Sequence, residues 1–123
     1  MIYGPNRLLA DLLEQGYDAK IREAEGNKFV VIAYDVPIGR FVDRKIELGI
    51  LSTPDYPRTV ASAIHVKAEP QLLEKSDSQQ NVRNIQDSAL GTEWRYWSHN
   101  FQWTEERSTR RLISQINGIF KDA

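Results

Sequence analysis

Within residues 44–51, Ile46, Leu48 and Ile50 alternate with Lys45, Glu47 and Gly49. A period of two sends successive side chains to opposite sides of the backbone, so the segment buries one face and wets the other. Such a strand belongs to a sheet covered on one side, and a sheet of that kind is ordinarily antiparallel. Neighbouring segments supply its partners. Residues 28–36 are rich in β-branched and aromatic side chains, residues 19–25 are mixed and extended, and Gly26 with Asn27 punctuates the two as a hairpin. Pro37, Ile38 and Gly39 turn the chain into the alternating strand. After it, Pro54, Asp55, Tyr56 and Pro57 form a turn, and residues 61–67 place Ile64 and Val66 on one side. Four consecutive strands in an antiparallel meander are expected.

Helical periodicity is confined to the two ends. Leu8, Leu9, Leu12 and Leu13 share one face, with Pro5 in the first turn and Gly16 as the stop. Near the C-terminus, Thr104, Glu105 and Glu106 open a helix whose apolar positions are Leu112, Ile113, Ile116, Ile119 and Phe120. Residues 69–88 are polar and aperiodic around Leu72, Leu73, Val82 and Ile85 and read as a long irregular surface segment. An aromatic cluster follows: Trp94, Tyr96, Trp97, Phe101 and Trp103. If that stretch is extended, Trp94 and Tyr96 face one side and Trp97 the other, which predicts that some of the cluster is buried and at least one member exposed. The order of elements predicts the α+β class, with helices over one face of a sheet. A chain of 123 residues supports one core, and the expectation is a single domain over residues 1–123.

Composition narrows the chemistry. Sixteen Lys and Arg stand against 17 Asp and Glu, a net charge of −1, so the chain lacks the basic excess that neutralises phosphates and no nucleic-acid partner is expected. The longest apolar run, residues 29–34, is far short of the roughly 20 residues that span a bilayer, and residues 1–5 lack a basic region followed by an apolar one. No membrane association and a cytoplasmic location are therefore expected. The chain has no cysteine, which removes disulfides, thiolate metal sites and thioester chemistry together. His65 and His99 stand apart, without the spacing that puts two imidazoles on one helical face, so no metal centre is expected.

The order of elements, with Asp55, Tyr56 and Pro57 between the third and fourth strands, resembles the ubiquitin-conjugating enzyme (UBC) superfamily. Residues 56–66 are similar to a reduced version of that family's Tyr-Pro turn and following strand, with its second proline pair missing. Residues 91–104, rich in Trp, followed by a helix ending in Ile119 and Phe120, are similar to bacterial members. The resemblance implies a UBC-like fold. It also implies a departure in chemistry. Active members carry a ubiquitin-like protein as a thioester on a cysteine of the long segment, whereas residues 69–97 contain none and the family's His-Pro-Asn motif is absent. The implied protein is a pseudoenzyme that requires no cofactor: a catalytically inactive adaptor that binds a ubiquitin-like protein noncovalently, beside activating or conjugating enzymes of a bacterial ubiquitination-like pathway.

Candidate residues follow from the same resemblance. It implies docking on the outer face of the sheet, where alternation places Arg22, Lys45, Glu47, Ala63 and His65 opposite the core set Ile46, Leu48, Ile50, Ile64 and Val66. Trp97 joins them as the exposed aromatic contact. A rival reading is an unconventional transferase that forms a serine oxyester on Ser98 or Ser88. Adjacent residues of an extended chain point apart, so the neighbourhood of Ser98 and His99 in sequence does not make a nucleophile and base. A third reading is a generic RWD-like interaction domain without a ubiquitin-like partner. Arg107, Arg110 and Arg111 are read as a solvated helix surface and Asp55 as a turn residue.

Overall fold

The computed structural model of the chain describes residues 3–73, 85–104 and 107–123. Helix α1 (Pro5–Glu14) begins with Pro at its first position and buries Leu8 and Leu12, one turn apart. It stops at Gly16, φ +93°, where the Gly16 N–H donates to Leu13 O and the Tyr17 N–H to Leu12 O. That pair of bonds is a Schellman motif, and the positive φ explains the glycine. Strands β1 (Ala19–Ala24) and β2 (Asn27–Asp35) are joined by Glu25 and Gly26, both at positive φ. This is the two-residue turn that matches strand twist, one position earlier than the expected Gly26 and Asn27.

Strands β3 (Lys45–Leu51), β4 (Ala63–Lys67), β5 (Ile85–Ser88) and β6 (Gly91–Ser98) complete the sheet, and helix α2 (Thr109–Asp122) ends the chain. The sheet is antiparallel throughout, in the order β1-β2-β3-β4-β6-β5. The class is α+β, as expected, with two helices and six strands, rather than four, among the described residues. The added strands come from the stretch read as irregular and from the aromatic cluster behind it. Strand β5 gave no periodic signal because it is a four-residue edge strand whose central Gln86 and Asp87 are both exposed. Within that stretch Leu72 and Leu73 are buried, while Val82 lies outside the described residues. Helix α2 begins at Thr109, not Thr104: the Ser108 hydroxyl caps it by accepting the Arg111 N–H at 3.2 Å. Glu105 and Glu106 lie outside the described residues.

One face of the sheet carries the main core. Val30, Ile32, Ile46, Leu48, Ile50, Ile64, Val66 and Trp97 pack there with Leu8 and Leu12 of α1 and Leu112, Ile116 and Phe120 of α2. Phe120 sits between Tyr34 and Trp97, with ring centroids 5.2 and 5.3 Å away. The expected core set is thus buried on the expected side. Trp97 is a correction: it has no exposed surface and fills the core instead of offering a contact. Alternation did separate it from Trp94 and Tyr96, but the side it faces is the one the helices cover. No helix among the described residues is long and apolar enough to cross a membrane.

Candidate functional site

The outer face of the sheet is not the solvated surface that alternation alone implied. Phe29, Val31, Leu90 and Trp94 form a second, smaller buried cluster on it. The cluster exists because the β5–β6 hairpin bends over that face. Asp87 pairs with Arg95, but Ser88 pairs with Gly91, leaving Thr92, Glu93 and Trp94 as extra residues on β6. A bulge of this kind kinks the strand and re-aims the residues beyond it. Leu90, in the hairpin turn, lands over Gly49 of β3, where an added Cβ would stand 2.6 Å from its Cδ1. A side chain at that point would have to displace the end of Leu90, so the glycine leaves room for the hairpin tip to lie close against β3.

Two polar contacts clasp the tip. Arg22 donates from Nη2 to Leu90 O at 2.6 Å and lies 6.0 Å from the centroid of the Trp94 ring. Ser88 Oγ lies 2.7 Å from His65 Nδ1 and accepts the Leu90 N–H at 3.1 Å. His65 is enclosed edge-on by Phe29 and Tyr96, at 4.9 and 5.4 Å between centroids. Burial pushes its pKa down to about 4, so the imidazole is neutral at pH 7.

Ala63 and His65 are therefore corrections, each only 5% exposed. Lys45 and Arg22 are exposed and Glu47 is half-buried, although Arg22 is engaged by the hairpin. Ser98 is buried in β6 opposite Ala63. Ser88 meets the distance criterion for a nucleophile and its base. Its oxygen, however, already takes the Leu90 N–H, and an imidazole titrating near 4 is a weak proton acceptor at pH 7. The pair has the geometry of a clasp.

Lys45 and Glu47 open instead onto a groove of about 790 Å³ beside the bulge, shared with Lys67, Gln71, Glu93 and Arg95. Lys67 Nζ stands 3.2 Å from Glu93 Oε2 and 3.3 Å from Glu47 Oε2. Glu93 and then Glu47 hold its pKa above the ordinary lysine value. Gln71 donates from Nε2 to Glu93 O at 2.6 Å, and its buried Oε1 has no partner among the described residues. Exposed ion pairs of this kind add little stability, so their charges remain available to a partner. Lys67 was within reach of the sequence, since it shares the parity of Ala63 and His65. Glu93 was not, because it sits in the bulge. Among the described residues, no group of three His, Cys, Asp or Glu could hold a metal ion.

Compared with protein-family models, curated proteins and solved structures, the chain matches none.

Proposed function

We propose that this protein is a noncatalytic docking domain of UBC-like architecture that holds a ubiquitin-like protein at the groove edged by Lys45, Glu47, Lys67 and Glu93. In this reading it presents the modifier to activating or conjugating enzymes of a bacterial ubiquitination-like pathway. The groove carries the proposal: charges of both signs alternate along an open wall, the pattern that fixes the orientation of a folded protein partner. The reading is of noncovalent binding, since the chain has no cysteine on which to form the thioester of active members. The order of helix, four strands consecutive in space and terminal helix supports the resemblance.

Coexpression with a ubiquitin-like protein and activating enzyme encoded beside this chain tests the proposal. Size exclusion followed by intact mass under denaturing conditions should give a comigrating complex with unmodified masses. Glu47→Lys should weaken that complex about tenfold or more, the effect of placing like charges together at an interface. A gain of one modifier mapped to Ser88 or Ser98 would replace the adaptor by the serine transferase, which the contact of Ser88 with His65 favours among the serines. Neither comigration nor mass gain would leave the RWD-like interaction domain.

A further inference from the structure

Strand β1 forms one edge of the sheet, and among the described residues no strand lies beyond it. The Ala33 N–H donates to Asp18 O at 3.1 Å, which makes Asp18 and Ala33 a hydrogen-bonded pair. Bonded and non-bonded pairs alternate along an antiparallel ladder. Lys20, Arg22 and Ala24 therefore bond inward to Val31, Phe29 and Asn27, and Ala19, Ile21 and Glu23 turn their N–H and C=O groups to the open edge.

The two faces of this edge differ in chemistry. On the outer face stand Lys20 and Arg22, both exposed. On the inner face Ala19 and Ile21 are partly buried against the main core, beside Leu9 and Tyr17, which are partly buried in the same way. Leu13, one turn beyond Leu9 on α1, is 51% exposed. An added strand would thus meet Lys20 and Arg22, preceded by Asp18, with one face and an apolar shelf that gives way to the exposed Glu23 with the other.

We infer that the free edge of β1 captures an extended segment of a partner protein, one in which acidic residues alternate with apolar ones. This surface is separate from the groove and does not depend on the reading given to it. A second copy of the chain does not fit. Two copies related by a two-fold axis keep each face with its own kind, so the fullest overlaps oppose Lys20 to Arg22, or Arg22 to Arg22. Like charges directly opposite on neighbouring strands are destabilising. The same cations favour an acidic strand, whose backbone would bond to Ala19, Ile21 and Glu23 and whose apolar side chains would cover the shelf.

The test titrates isotope-labelled protein with a short peptide of alternating Glu and Val, against a peptide of the same composition with its Glu and Val in separate blocks. The alternating peptide should shift the amide signals of β1 and slow hydrogen exchange at Ala19, Ile21 and Glu23. Lys20→Glu should weaken binding about tenfold, equivalent to about 1.4 kcal/mol. Glu23→Pro removes an N–H that faces the open edge and leaves the β1–β2 ladder intact, so it should also weaken binding while the remaining spectrum is unchanged. Equal binding of the two peptides, or shifts centred away from β1, would overturn the inference. So would self-association of the free chain that Glu23→Pro abolishes.

Discussion

A neutral imidazole enclosed by Phe29, Tyr96 and Ser88 links stability to pH through one side chain. His65 titrates near 6.5 when unfolded and at about 4 when folded, lowered by burial, so protons favour the unfolded chain. Its contribution is complete above the unfolded value, is lost as pH falls from 6.5 toward 4, and changes no further below that. Across the window the loss amounts to roughly 3 kcal/mol. Urea unfolding at pH 7 and at pH 4.5 should show it, and His65→Gln, which does not titrate, should remove most of the difference. An unchanged difference in the variant would refute the assignment. Strand alternation placed this residue on the correct face and gave no sign that it was covered, because a period of two reports direction and not what lies beyond.

At the level of elements, the β5–β6 hairpin is held by the fit of Leu90 over Gly49. Gly49→Ala pushes a methyl group into Leu90 and should cost about 1–3 kcal/mol, the usual penalty of overpacking. Leu90→Ala destabilises by emptying the same space, but the double variant should be more stable than the sum of the two, as residues in contact are not additive. Additive losses in thermal or urea unfolding would place Leu90 elsewhere. The helices were more legible than this hairpin. Leu8, Leu12 and Gly16 mark α1 within one segment, and the apolar positions of α2 are buried as its period requires. The start of α2 was misplaced because Glu105 and Glu106 imitate an acidic first turn, whereas Ser108 supplies the cap.

The whole molecule is tied across its length by a relay of hydroxyls. Thr109 Oγ1 donates to Asp11 Oδ2 at 2.6 Å, so Tyr56 must be the donor in its own 2.6 Å contact with Thr109. Arg7 completes the chain with an ion pair to Asp11 at 3.0 Å. The relay joins α1, the turn before β4 and α2. Burial pushes the Tyr56 hydroxyl up to about 12, which keeps it a donor at any physiological pH. Thr109→Val keeps the shape and strands the buried Tyr56 proton, while Asp11 keeps its Arg7 partner, so it should cost about 1–3 kcal/mol in chemical denaturation. Thr109→Ser should restore most of the loss. A Val variant as stable as the parent would show that the relay contributes nothing.

Helix α1, the apolar face of α2, the first four strands, the inward set from Ile46 to Val66, and the charge balance were determined by the sequence alone, because each depends on spacing within a few residues or on composition. The cover on the outer face, the groove beside the bulge and the open edge of β1 were decided only by the tertiary structure. Each depends on residues far apart in the chain: Leu90 meets Gly49, Arg22 reaches Leu90, and Lys67 lies between Glu47 and Glu93. A pattern of hydrophobic periods carries direction along its own strand, and the bulge that bends the hairpin across the sheet breaks that period where these contacts are made.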